Sequence, residues 1–219
     1  MRSTFDRRVV PDAILEVIRA CQRRVPCHLG GGCALSGAYL SHRLSGDVDL
    51  MCHEPSEVRL LMAELPAVAR ETGTKIELKR DAGTFVRASL KTADQSLELD
   101  VVHEAVTDLE ITQPSIEGVV IESLADLRAS KLTCILSRSE PRDLVDLLYL
   151  DRAGFPPERD LELALKKDAG IDPGVLAWLL GQFPIEPLPI MLQPLSSDDL
   201  LAFRIDLRER FRRAALPKS

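Results

Sequence analysis

Aromatic side chains are scarce: one Trp, two Tyr and six Phe make up 4% of 219 residues. That leaves little surface on which the bases of a single strand could stack. Positive charge is not in excess either. A formal net charge of −6 excludes coating of nucleic acid or of an anionic membrane by bulk charge, so any polynucleotide contact must come from a local basic patch. No apolar run approaches the roughly 20 residues of a membrane span. The start of the chain, Met-Arg-Ser-Thr-Phe-Asp-Arg-Arg, is too charged for the apolar centre of a signal peptide. These absences predict a cytoplasmic protein with no membrane partner.

Paired cysteines are lacking too. Cys21, Cys27, Cys33, Cys52 and Cys134 are odd in number and form no C-x-x-C pair, which excludes a disulfide framework and a structural zinc site of the usual spacing. They read as buried free thiols. Cys27 beside His28 is the one pair that suggests a nucleophile, and no third partner for it can be picked out.

What is present is enough apolar material, 45% of the chain, for one large domain or for a catalytic domain and a smaller helical one. Pro11 followed by Ile14, Leu15 and Ile18 predicts an opening amphipathic helix. A strand around Pro26 to Leu29, a short helix over Ala34 to Ser41, a strand over Asp47 to Cys52 and a helix over Pro55 to Glu71, kinked or interrupted at Pro66, follow. Alternation over Lys75 to Lys79, Thr84 to Leu90 and Ser96 to Val102 predicts strands of a mixed or antiparallel sheet continuing from the Asp47 strand. From Ser123 the period becomes helical: Ser123 to Arg138, Pro141 to Ala153, Pro157 to Asp168, Pro173 to Phe183 and Ser197 to Ala214. The proline-rich run from Phe183 to Pro194 reads as an extended strap. The expected fold is therefore α/β (α+β), a mixed sheet flanked by helices over residues 1–122, then a helical subdomain over residues 123–219.

Residues 28–50 hold the most chemistry. Gly30, Gly31 and Gly32 allow a turn with positive φ and close approach of the backbone to a polyphosphate. Asp47 and Asp49 stand at i and i+2 on a strand, so both carboxylates share one face while Val48 and Leu50 share the other. Two hard oxygen ligands side by side suit Mg²⁺, which binds a few carboxylates plus substrate phosphate oxygens. Two-metal phosphoryl transfer calls for a third acid. Asp100, on a neighbouring strand, is the first choice and Glu98 the fallback. Arg43 and Ser45, just ahead of the acids, offer a guanidinium and a hydroxyl to phosphate oxygens, or simply shape the turn.

A second cluster runs from Lys131 to Asp146. The apolar stripes of its helices leave Lys131, Arg138, Asp143 and Asp146 aside, and on residue type alone these read as solvated surface charges. Near the end of the chain Arg204, Arg208 and Arg212 recur at i+4 with Arg213 adjacent. That stripe could follow phosphates, but Asp206 and Glu209 dilute it, and a solvated helix of mixed charge is the favoured reading.

Taken together, Leu29-Gly-Gly-Gly-Cys-Ala-Leu with Arg43-Leu-Ser-Gly-Asp-Val-Asp-Leu, then Leu124-Ala-Asp-Leu-Arg-Ala-Ser-Lys-Leu with Arg138 and Arg142-Asp-Leu-Val-Asp-Leu, resemble the AbiEii/AbiGii-type nucleotidyltransferase toxins of the DNA polymerase β-like superfamily. The resemblance spans roughly residues 25–150. It implies a nucleotidyltransferase-type sheet and transfer of NMP from an NTP to an acceptor, with tRNA 3′ ends modified by some members. It also implies the toxin role in a toxin–antitoxin or phage-defence pair. It assigns the nucleotide to Gly31 and Gly32, Mg²⁺ to Asp47 and Asp49, the triphosphate to Lys131, and the orienting of Lys131 or the acceptor to Asp143. Gly30 stands where many members have a larger residue, and Cys33 where threonine or serine is frequent. An RNA end is the leading acceptor; a protein hydroxyl or a small molecule such as an aminoglycoside is the alternative, and a non-catalytic nucleotide- or partner-binding module is a third reading.

Overall fold

Local chemistry explains most element boundaries in the computed structural model, which describes residues 3–216. Contacts divide it into a unit ending at Ser123 and a unit beginning at Leu124.

In the first unit, α1 (Asp12–Gln22) follows Pro11 and buries Ile14, Leu15, Val17 and Ile18. Strand β1 (His28–Gly30) lies slightly later than its sequence suggests and leads directly into a four-residue α-turn, α2 (Gly31–Ala34). The chain continues as a π-helical stretch, Leu35–Leu40, which stops where Ser41 turns left-handed at φ 52°. The sequence suggests one ordinary helix here. The Gly37 carbonyl instead accepts from the Asp6 N–H at 2.9 Å, and a Cβ on Gly37 would lie 2.6 Å from a Val10 methyl, so this turn is fitted to the segment preceding α1.

Strand β2 (Asp47–Cys52) alternates half-buried and buried residues along its length. Helix α3 (Pro55–Thr72) starts with a capping box between Glu54 and Glu57 and ends at Gly73, φ 65°. It runs through Pro66 without interruption. A helix-interior proline costs about 3 kcal/mol, whereas burying Val58, Leu61, Leu65 and Val68 contributes about 1.5–3 kcal/mol for each side chain. Packing of the stripe outweighs the lost hydrogen bond.

Strands β3 (Lys75–Asp81), β4 (Phe85–Lys91) and β5 (Ser96–His103) complete a five-stranded sheet of order β1-β2-β5-β4-β3. The β2–β5 pair is parallel and the other three are antiparallel, so the sheet is mixed, as expected. Val48, Leu50, Val86, Ala88, Leu90, Leu99 and Val101 are buried and form one face, against which α3 packs. Asp47, Asp49, Arg87, Glu98 and Asp100 belong to the opposite face by parity. A small hairpin, β6 (Ser115–Ile116) and β7 (Val119–Val120), follows.

The second unit is helical: α4 (Leu124–Ser137), α5 (Pro141–Arg152), α6 (Leu161–Lys167), α7 (Pro173–Leu180) and α8 (Ser197–Ala214). The single helix expected over Pro157 to Asp168 is split into a 3-10 turn, Pro157–Arg159, and α6. Asp160, at the break, takes a two-pronged grip from Arg128 at 2.9 and 3.0 Å. Helix α8 begins with a Ser196/Asp199 capping box and buries Leu200, Phe203, Leu207 and Phe211 against α5 and α7. The strap before it is extended and pinned: Tyr149 Oη donates to the Pro194 carbonyl at 3.1 Å and Arg204 to the Phe183 carbonyl at 2.6 Å. No helix among the described residues is long and apolar enough to cross a membrane.

Candidate active site

The glycine turn and the first acid pair meet because of sheet register. Gly30 is the antiparallel partner of Asp49, and Gly31 follows at φ +62°, a conformation that glycine adopts without steric cost. A Cβ on Gly31 would stand 1.9 Å from Asp49 Oδ2. The carboxylate therefore fills the space where any other side chain would begin. Gly32 makes the same allowance for other groups: its Cβ would lie 2.7 Å from Arg43 Nη2 and 3.1 Å from Ser45 Oγ. Gly31→Ala combines a strained backbone with a direct clash. It is expected to move Asp49, lowering transfer activity at least tenfold and lowering the thermal midpoint, as read by enzyme assay and calorimetry.

Across the parallel pair, Asp47 stands beside Glu98 and Asp49 beside Asp100, neighbouring strands being about 4.8 Å apart. Asp47, Asp49, Glu98 and Asp100 thus share one face of β2 and β5. Ser45 Oγ donates to Asp47 Oδ1 at 2.9 Å, fixing one carboxylate. Arg87, the cross-strand partner of Asp100, grips it with both prongs: Nε to Oδ1 at 2.8 Å and Nη2 to Oδ2 at 2.7 Å. The same guanidinium reaches Glu98 Oε2 at 3.0 Å. Asp100 is buried and Glu98 exposed, so the two acids are not equivalent. Each Asp100 oxygen keeps a second lone pair for a cation or a hydroxyl.

Arg43 is 2% exposed. Its Nη1 donates to the Leu44 carbonyl at 2.9 Å and its backbone N–H to Ser36 Oγ at 3.3 Å, so it braces the turn ahead of β2. Cys33 lies buried beneath the acids. Burial first, then the nearness of Asp49 and Asp47, pushes its thiol well above the ordinary range. Cys27, beside His28, is likewise pushed up by burial, which removes it as a nucleophile.

The second unit holds the other sequence cluster, and here the expectation of solvated charges is corrected for Lys131, Asp143 and Asp146, while Arg138 is exposed as expected. Lys131 is 3% exposed, and Asp143 and Asp146 are fully buried. Lys131 Nζ stands 2.7 Å from Asp146 and 3.6 Å from Asp143. Arg138 holds both Asp143 oxygens at 2.8 Å. The cluster balances two cations against two carboxylates; Lys131, Asp143 and Asp146 are buried while Arg138 reaches Asp143 from the exposed side, and this pairing is what allows the three buried charges to leave water. Lys167 and Asp126, 2.8 Å apart, form another buried pair that no sequence pattern marked.

Arg87 is the one charge inside the alternating run Thr84 to Leu90, which makes it a candidate for a cross-strand ion pair without identifying the acid it meets.

No curated protein matches the chain. Among solved structures, JHP933 from Helicobacter pylori is 22% identical, covering 94% of this chain and 96% of that one with a TM-score of 0.57. MenT4, a nucleotidyltransferase toxin from Mycobacterium tuberculosis, is 15% identical, covering 96% and 86% with a TM-score of 0.59. The likeness to MenT4 shows that this is a nucleotidyltransferase fold. The model of the AbiEii nucleotidyl transferase toxins, of type IV toxin–antitoxin systems, matches residues 14–217. The chain belongs to the AbiEii nucleotidyltransferase toxin family.

Proposed function

We propose that this nucleotidyltransferase moves a nucleoside monophosphate from an NTP onto an RNA end, tRNA being the first candidate. It would do so in the cytoplasm as the toxic member of a pair with an antitoxin. The observation that carries the reading is the fit of Asp49 over the side-chain-free Gly31, with Asp47 and Asp100 on the same face. Hard oxygen donors in that arrangement fit Mg²⁺. Asp47 and Asp49 would hold the ion, with Asp100 as third acid. The bound ion would neutralise charge on the phosphate oxygens.

The chain's own residues do the rest by positioning. Gly31 and Gly32 bring backbone close to the triphosphate. Ser45 orients Asp47, Arg43 stiffens the turn, and Arg87 sets the angle of Asp100 so that its remaining lone pairs can take the acceptor hydroxyl's hydrogen bond. Lys131 and Asp143 are proposed for the triphosphate and its orientation on the family resemblance. Lys131→Ala should then raise the KM for NTP by more than its loss of stability explains.

The second unit favours RNA as acceptor. Trp178, the single tryptophan, is 67% exposed on the rim of a cleft of about 360 Å³ lined also by Arg208 and Arg212. A flat ring beside guanidinium groups suits an unpaired base and its phosphate. Arg208 has no carboxylate partner among the described residues, and Arg212 meets only the exposed Glu209, at 3.2 Å. Trp178→Ala with Arg208→Ala is expected to raise the KM for RNA about tenfold, stacking alone contributing about 1–3 kcal/mol per base, with the KM for NTP unchanged.

Incubating the purified chain with each α-labelled NTP, Mg²⁺ and total RNA tests the reading as a whole. Label on small RNA is the expected result. Label on protein would refute the RNA acceptor, and no label with any NTP would refute transfer itself.

A further inference from the structure

At the far end of β2 from the glycine turn, three metal-ligating side chains converge that play no part in the chemistry above. His28 opens β1 opposite Met51, His53 follows β2, and Asp108 lies in the segment after β5. One ligand atom from each falls within 4.8 Å of the other two. The imidazole rings of His28 and His53 stand 5.3 Å apart, tilted by 38°, and His53 Nε2 lies 3.2 Å from Asp108 Oδ2.

We propose that His28, His53 and Asp108 form a second metal site, selective for a divalent transition ion of the Zn²⁺ type. Zinc–imidazole and zinc–carboxylate bonds of about 2.0–2.2 Å set tetrahedral ligand atoms about 3.3 Å apart. The His53–Asp108 separation already meets that spacing, and the remaining ones need only small side-chain rotations. Two imidazole nitrogens with one carboxylate select Zn²⁺, Co²⁺ or Ni²⁺ over Mg²⁺, which prefers oxygen.

Two further observations point to a cation, and a third fixes one of the ligand segments. Asp108 Oδ1 is buried without a hydrogen-bond partner among the described residues, an arrangement that a metal bond resolves. The adjoining cleft, about 530 Å³, is lined by Glu54, Glu104 and Glu110 as well as His53 and Asp108, so its mouth is acidic and draws cations. The His103 ring nitrogen stands 3.1 Å from the His53 carbonyl, tying the backbone of one ligand to the end of β5.

Occupation would clamp three separate segments: the start of β1, the end of β2 and the stretch containing Asp108. Because Gly30 lies two residues beyond His28, the ion would also stiffen the strand that delivers the glycine turn to Asp49.

The test uses the full chain stripped with EDTA and titrated with Zn²⁺, in an Asp47→Asn/Asp49→Asn background that removes the carboxylate pair. Calorimetry and metal analysis after gel filtration are expected to give one Zn²⁺ per chain, undisplaced by excess Mg²⁺. The thermal midpoint should rise by about 5 °C at saturating ion. Co²⁺ should give the visible absorption of a four-coordinate site. His53→Ala and Asp108→Ala should each weaken Zn²⁺ at least hundredfold and remove the Co²⁺ band, with circular dichroism unchanged; both are on partly exposed segments, and His53→Gln repeats the test with less loss of volume. Failure to bind Zn²⁺, or binding that survives His53→Ala and Asp108→Ala, would overturn the inference.

Discussion

Asp49→Asn is expected to lower kcat for nucleotidyl transfer by at least about 10³-fold, since a metal ligand supports several kcal/mol of transition-state charge stabilisation. The thermal midpoint should stay the same or rise. The reason is the crowding of like charge on the sheet face: Asp47, Asp49, Glu98 and Asp100 lie side by side. Removing one charge relieves repulsion between neighbours. Asparagine keeps the shape over Gly31, so no cavity forms. A variant that is inactive yet at least as stable separates chemistry from folding. A large fall in the thermal midpoint would instead make Asp49 a structural residue.

The second large effect concerns stability. Asp146→Ala removes the carboxylate 2.7 Å from the buried Lys131; Asp143 stands farther off, at 3.6 Å, and is already held by Arg138. Breaking a buried pair by removing one partner costs about 3–5 kcal/mol, on the order of 10 °C in thermal midpoint for a chain of this size. Lys131→Met combined with Asp146→Leu removes both charges and should recover most of the loss, because packed apolar groups replace a buried ion pair at little cost. Calorimetry on the single and double variants gives the coupling. A loss below about 1 kcal/mol for Asp146→Ala would be the behaviour of an exposed pair and would contradict the burial of this cluster.

The parts of the fold that were legible in the sequence depend on short-range rules. Asp47 and Asp49 could be placed on one face because a strand has period 2, and α3 and α8 could be bounded because Pro55, Ser196 and Gly73 act within one turn of a helix end. Opaque features depend on which residues meet across the chain. Nothing near Asp100 in sequence signals that Arg87 will take both its oxygens, since that follows from β4–β5 register. Lys131 reads as surface charge until Asp143 and Asp146, from the next helix, neutralise it. Asp160 breaks a helix that periodicity would continue because Arg128 binds it from 32 residues away. His28, His53 and Asp108 share no spacing at all, and only the start of β1, the end of β2 and the segment after β5 bring them together.

The central claim is that the face of β2 beside Gly31 holds a divalent cation together with the nucleotide. Electron paramagnetic resonance of Mn²⁺, titrated with and without a non-hydrolysable NTP, measures this directly. The unaltered chain and His53→Ala should both take up Mn²⁺ in an NTP-dependent manner, and Asp47→Asn/Asp49→Asn should lose that uptake. Equal NTP-dependent uptake by the double variant would contradict the account.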